Sequence, residues 1–388
     1  MSNSGRHFLQ VPGPTNIPDR VLKAIHAPGV DHRGPHFLPF AIKLLEDVKT
    51  LFKTKETVAI WPSSGTGAWE AALVNTLSPG DKVLMFDAGM FSNLWVKMGK
   101  MLQLDVQVVE NDWRRGADPA VVEEKLTQDK NHAIKAVCIV HNETSNGVLA
   151  RLADIRKAMD AAKHPALLLV DSISGLGCTD YQHDQWGVDV TICGSQKGMM
   201  LPTGLGFNAI SKKAREAYKS SKMPRSYWDW EWMTGAYDKG IFPYTPAASL
   251  MNGLRASIDM MHEEGLENIF ARHNRFATAT RKAVEAWGLE VVCQDEREFS
   301  PSVSAIYLPE GHSADAFRRV AFERFNISLG AGLGKFADRV FRIGHMGDLN
   351  EAMLTGALSS VEMGLRAAGV PHTSGGVDAA IAHLSQAN

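Results

Sequence analysis

Four places in the chain carry residue types that could do chemistry. Lys197 stands in Cys193-Gly194-Ser195-Gln196-Lys197-Gly198, after a strand-like apolar run and before Met199-Met200-Leu201-Pro202. A lysine in an apolar, glycine-flanked loop loses hydration, which disfavours its charged form and lowers its pKa. The neutral amine can condense with a carbonyl to a Schiff base; the alternative is an ordinary loop lysine. Asp171 ends the run Ala166-Leu167-Leu168-Leu169-Val170-Asp171. A carboxylate there sits at the carboxyl edge of a buried strand, where open α/β sheets bind ligands. It could hold a protonated ring nitrogen, cap a helix or ligate a metal.

The stretch Pro62-Ser63-Ser64-Gly65-Thr66-Gly67 leaves one element and opens another. Its backbone N–H groups and helix dipole would form an anion site, with hydroxyls from Ser64 and Thr66 as extra donors. As a plain helix cap it would need no ligand. Arg342 lies inside Val340-Phe341-Arg342-Ile343-Gly344. Burying its charge is costly unless a carboxylate meets it, and its planar fork suits a carboxylate bidentately. A structural ion pair is the other reading. The 14 histidines show no HExxH and no ligand spacing, so no metal site is expected.

These residues need a scaffold. From residue 57 short apolar segments at 58–61, 82–87, 106–110, 136–141, 166–171 and 190–193 read as strands. Helical patterns lie between them at 67–77, 119–126 and 155–163. That alternation predicts an α/β fold with an open, largely parallel sheet. Before it, Val11-Pro12-Gly13-Pro14-Thr15-Asn16-Ile17-Pro18 cannot be helical. Helices are expected at 19–25, capped by Asp19, and at 39–52, with Phe40, Leu44, Leu45, Val48 and Phe52 on one face. Long helices follow at 246–264 and 266–287 around Gly265. Segments at 290–292, 303–308, 314–325, 340–343 and 351–368 read as a smaller α+β domain. The expected division is a large domain over 16–265 and a small one over 266–388 joined by 1–15. The aromatic stretch Tyr227-Trp228-Asp229-Trp230-Glu231-Trp232 shows neither period, and the tail from Gly369 begins polar.

With 388 residues, 45% hydrophobic and 22% charged, the chain is globular and long enough for two domains at roughly 150 residues each. A net charge of −2 supplies no global attraction to nucleic acid or an anionic membrane. No apolar run approaches the roughly 20 residues of a membrane helix. Cys138, Cys178, Cys193 and Cys293 are widely spaced, which points to reduced thiols and a cytoplasmic protein.

The phosphate-cradle pattern, the acidic strand end and a lysine 26 residues on, in Ser-Gln-Lys-Gly, together resemble fold-type-I pyridoxal-phosphate enzymes. More narrowly they resemble the class V aminotransferases, in the serine/alanine/aspartate–glyoxylate branch. The likeness runs over almost the whole chain. It takes in Pro12-Gly13-Pro14-Thr15, His141-Asn142-Glu143-Thr144-Ser145-Asn146-Gly147, Pro243-Tyr244-Thr245-Pro246 and Phe341-Arg342-Ile343-Gly344-His345. The resemblance implies pyridoxal 5′-phosphate carried by Lys197 as an aldimine, with Lys197 then moving a proton. Asp171 would pair with the pyridinium nitrogen, and Ser64, Gly65, Thr66 and Gln196 would bind the phosphate. Phe91 would stack on the ring, and Thr144 would bond its phenolic oxygen or the substrate. Arg342, with backbone near Gly13, would hold the substrate carboxylate.

It also implies a homodimer in which Thr245 reaches the partner's phosphate. Phe242 stands where relatives often carry a tyrosine. The expected reaction moves an amino group from L-serine to glyoxylate, with aspartate or alanine as alternative donors. An aspartate user would want a second cation, for which Arg33 and Arg225 are candidates. A lyase on the same scaffold and a cofactor-free scaffold are the remaining readings. His345 and Asp31-His32-Arg33 would lie near the pocket or its entrance without catalytic roles.

Overall fold

Two sheets of different make-up organise the chain, whose residues 5–386 are described by a computed structural model. Strand β1 (Phe8–Gln10) comes first, followed by the irregular proline-rich stretch. Helix α1 (Asp19–Ile25) does not use Asp19 as its cap. Pro18 holds that position with extended backbone, and Asp19 lies in the first turn, where its charge suits the helix dipole. Helix α2 (Phe37–Phe52) buries Leu44, Leu45, Val48 and Phe52, with Phe40 partly covered beside them.

The alternating region then runs β2 (Thr57–Ser63), α3 (Gly65–Thr76), β3 (Lys82–Asp87), α4 (Met90–Met101), β4 (Asp105–Glu110), α5 (Pro119–Gln128) and β5 (Ile134–Val140). A hairpin of β6 (Asn142–Glu143) and β7 (Val148–Leu149) leads to α6 (Leu152–Ala161), β8 (Leu167–Asp171), β9 (Val190–Gly194) and β10 (Gly204–Ile210). Seven of these strands form one sheet in the order β2-β10-β9-β8-β5-β3-β4. It is parallel except for β10, which runs antiparallel to both neighbours. Every residue of β8 is buried, as a central strand covered on both faces must be.

Strand β10 escapes sequence reading because Gly204 and Gly206 interrupt its apolar pattern. Gly206 is glycine for a spatial reason: a Cβ there would lie 2.7 Å from the Ser64 carbonyl oxygen. Helix α7 (Lys212–Ser220) follows. The aromatic stretch that shows no period contains a short helix, α8 (Trp230–Thr234), capped by Asp229 through the Trp232 N–H. Trp230 is buried beneath it, so tertiary packing overrides the missing pattern.

Helices α9 (Ala248–Glu264) and α10 (Leu266–Ala286) meet at Gly265, whose φ of +86° favours glycine. The smaller C-terminal domain holds β11 (Glu290–Val291), β12 (Val303–Tyr307), α11 (Ala314–Phe325), β13 (Ile327–Ala331), β14 (Val340–Gly344), α12 (Glu351–Ala367) and α13 (Gly376–Leu384). Its sheet has the order β1-β13-β14-β12-β11. The start of the chain is thus paired, in parallel, with a strand more than 300 residues away. Helix α13 lies in the polar-looking tail and sends Ala380 and Leu384 into a second core with Phe276, Phe317 and Phe341.

Candidate active site

Strands β8 and β9 are parallel neighbours, so Asp171 and the loop after Gly194 leave the sheet at the same edge. The start of α3, following β2, opens at that edge as well. There a cavity of about 110 Å³ is lined by Gly65, Thr66, Phe91, Thr144, Asp171, Gln196 and Lys197, seven of the residues picked from sequence. A larger cleft of about 710 Å³ between α2, β2 and α8 holds none of them.

Desolvation lowers the Lys197 pKa to about 8, helped by the like charge of Arg342 and opposed by Asp171. Its Nζ donates to the Pro12 carbonyl. Gly13, with φ of +96°, packs directly on the lysine; a Cβ there would lie 2.3 Å from Lys197 Cδ. The N-terminal segment is pinned beside this loop by Thr15, whose N–H donates to the Gln196 carbonyl and whose hydroxyl donates to that of Lys197. Burial pushes Asp171 up to about 7, with the charge of Glu143 adding to the rise. The Ile173 N–H at 2.8 Å and the Trp69 indole N–H at 3.0 Å pull the other way.

The α3 amides of Gly65, Thr66 and Gly67 donate to no backbone carbonyl among the described residues. Ser64 stands at the N-cap without a side-chain capping bond. Beside them the Gln196 Oε1 is buried without a partner. Arg342 is 7% exposed; its Nε donates to the Ala331 carbonyl at 2.7 Å and one terminal nitrogen to the Thr144 carbonyl at 2.8 Å. No carboxylate among the described residues comes within ion-pair distance of it. A buried guanidinium anchored by carbonyls and lacking a counter-ion is poised for an incoming carboxylate.

The model of the family described as aminotransferase class-V matches residues 7–335. The chain belongs to the class-V aminotransferases. It is 49% identical to the serine–glyoxylate aminotransferase of Arabidopsis thaliana, over 99% of this chain and 96% of that protein. It is 47% identical to the L-aspartate–glyoxylate aminotransferase of Paracoccus denitrificans, over 97% and 96%. The crystal structure of pyridoxamine–pyruvate aminotransferase from Mesorhizobium loti superposes with a TM-score of 0.93 at 26% identity, covering 99% of this chain and 98% of that one.

The aminotransferase leaves Thr245 exposed and outside the cavity of its own chain. Phe242 is buried between Phe37 and Tyr237, and Tyr244 stacks on Tyr227 with centroids 4.6 Å apart. Arg225 is tied to Asp229 at 3.1 Å and lies over the Tyr218 ring, and Arg33 is exposed between α1 and α2. Neither lines the cavity. His345 is fully buried, bonded to Ser304 and the Pro301 carbonyl, and does not line it either. Trp69, Asn142, Ile173 and Ser174 do, and sequence reasoning missed them as site residues. Ile173 and Ser174 lay within reach, two and three positions after Asp171. Trp69 carried no signal, because only the packing of α3 turns its indole onto Asp171.

Proposed function

We propose that this aminotransferase transfers the amino group of L-serine to glyoxylate, giving hydroxypyruvate and glycine, with pyridoxal 5′-phosphate as cofactor. The observation that carries the reading is one cavity shared by a lysine of lowered pKa, a buried aspartate and unpaired helix amides, with the unpaired Arg342 held by a residue of its wall. The residues fit the cofactor. The free α3 amides suit a phosphate, with the Gln196 N–H2 group as a further donor, Asp171 suits a pyridinium nitrogen, and Phe91 supplies an aromatic wall. When bound, the cofactor supplies an electron sink for the pair left when the donor loses its Cα proton.

The chain's own groups do the rest. Arg342 holds the donor carboxylate with the N–H groups it does not spend on carbonyls. Lys197 anchors the cofactor, then takes the Cα proton on Nζ and delivers it to the cofactor's C4′ carbon. Asp171 keeps the ring nitrogen protonated, and Thr144 offers a hydroxyl to the phenolic oxygen. Glyoxylate then meets the same groups in reverse order, which makes the kinetics ping-pong.

The cations favour serine over aspartate: Lys197 and Arg342 are the two at the site, and a second carboxylate, as in aspartate, would find no partner there among the described residues. The Asn142 Oδ1 is buried without a partner at the cavity wall, which favours a donor bearing a hydroxyl over alanine. All four cysteines are buried, which leaves no mobile thiol for a desulfurase. We further propose a homodimer in which the exposed Thr245 completes the partner's phosphate site, and a cytoplasmic location in keeping with four free thiols. No helix among the described residues is long and apolar enough to cross a membrane.

The test is the visible spectrum of the holoenzyme with L-serine, L-aspartate or L-alanine added separately. Serine should bleach the yellow band at the lowest concentration, and glyoxylate should restore it. A protein that stays colourless with the cofactor sinks the reading; bleaching by aspartate first overturns the donor.

A further inference from the structure

Glu143 takes no part in the steps above, yet it accepts more hydrogen bonds than any other carboxylate at the site. It is 2% exposed, between Asn142 and Thr144. Its Oε2 accepts the N–H groups of Phe91 at 3.1 Å and Ser92 at 3.0 Å. Its Oε1 accepts the Ser145 N–H at 3.0 Å and the Ser145 hydroxyl at 2.7 Å. That same hydroxyl oxygen accepts the Met90 N–H at 3.0 Å. The first three amides of α4 therefore end on Glu143 and Ser145, some 50 residues away in sequence.

Helix α4 needs this outside cap because its own N-cap, Gly89, has no side chain. A Cβ at Gly89 would lie 2.3 Å from Glu143 Cγ, so the glycine admits the carboxylate. The same tripeptide faces the other half of the site. The Thr144 carbonyl holds Arg342, and the Glu143 charge is the one carboxylate that strengthens the arginine's hold on its proton. Short of ion-pair contact, it balances the guanidinium without occupying the place of a substrate.

We propose that Glu143 is a positioning residue with two arms: its carboxylate locks the first turn of α4 so that Phe91 walls the cofactor ring, and its charge tempers the pull of Arg342 on the substrate carboxylate. This rests on the cofactor and donor proposed above.

Three variants of the holoenzyme separate the arms. Glu143→Gln removes the charge and turns an N–H2 group toward a donor. Glu143→Asp keeps the charge but shortens its reach to α4. Ser145→Ala loses the hydroxyl bridge alone. Two readouts need no turnover: the visible circular dichroism of the bound cofactor, and the dissociation constant of propionate, a carboxylate that cannot be transaminated. Glu143→Gln should tighten propionate and lower the KM for serine, each by about tenfold, as expected when a nearby negative charge no longer offsets the guanidinium, and should diminish the dichroism. Glu143→Asp should diminish the dichroism while holding propionate affinity within about twofold. Ser145→Ala should lower the melting temperature and leave propionate binding unchanged.

Unchanged dichroism and propionate affinity in Glu143→Gln would reduce Glu143 to a helix cap. Should that variant not fold, undiminished dichroism in Glu143→Asp, or the same propionate shift of well over about twofold in both Glu143→Asp and Ser145→Ala, overturns the proposal. A wild-type protein with no cofactor band fails the functional reading instead, and the inference with it.

Discussion

The candidate site has two places suited to an anion, one in the cavity wall and one behind it, and they are built from opposite materials. At the start of α3 the donors are backbone amides with no formal charge, aided by the helix dipole and the Gln196 amide. At β14 the donor is one buried guanidinium, held by two backbone carbonyls without a counter-ion in contact. An amide cradle is preorganised and needs no counter-ion when empty, which suits a group that stays through every cycle. A buried charge is expensive when unpaired, so it pulls hard on a carboxylate that must arrive and leave. On the proposed function, the resident phosphate belongs at one end and the exchanging substrate at the other. Asp171 and Lys197 belong to the cavity wall beside the first.

The sharpest way to separate the two ends is to stop the chemistry between them. Lys197→Ala should lose turnover by about four orders of magnitude or more, as it removes both anchor and proton carrier. Propionate binding to the cofactor-loaded variant should survive, followed by fluorescence. Retained turnover would break the assignment of the lysine. Arg342→Gln comes next: kcat/KM for serine should fall by about 10²–10³, the loss expected when a buried charge pair is broken. Cofactor affinity, read by equilibrium dialysis, should stay put, and a parallel fall would show that the ends are not independent.

Asp171 supplies a pH signature in the cofactor-free protein. Its pKa of about 7 stands above the ordinary carboxylate value near 4, so the stability it contributes is complete below about pH 4. That stability is lost as the pH rises through 7. Urea denaturation should therefore show wild type losing stability relative to Asp171→Asn between pH 5 and 8, and a pH-independent difference would refute the shift. The smallest effect belongs to Gly65→Ala. Its Cβ would lie 2.4 Å from Ile173 Cδ1, a clash a flexible side-chain end can partly yield to. Cofactor affinity should drop by about tenfold, in line with overpacking of a tight site, while the serine KM at saturating cofactor holds.

Much of the large sheet was legible because each strand is a short apolar run and each helix carries its own period. Residues 82–87 and 314–325 come out with the boundaries read from sequence. The failures share a cause. In β10, glycines needed for close approach erase the pattern, α8 is held by its Asp229 cap and a buried Trp230, and β13 takes one of its two partners, β1, from more than 300 residues away. Asp19 looked like a cap by type, yet Pro18, with its fixed φ, takes the position.

The same division runs through the site. Local sequence alone determined which groups could react: an amine in a dry loop, a carboxylate at the end of a buried strand, amides at a strand-to-helix turn, an arginine in an apolar strand. Each follows from the residue and its immediate neighbours, because apolar composition and backbone period are local properties. Only the tertiary structure decided what those groups meet. It set Gly13 against Lys197, turned Trp69 onto Asp171, hung Arg342 from the Thr144 carbonyl, and brought Glu143 to the first turn of α4. These contacts join residues from about 50 to nearly 200 positions apart, and no periodicity records them. They exist because parallel strands deliver their ends to one edge and because β14 brings Arg342 against the Thr144 carbonyl beside it.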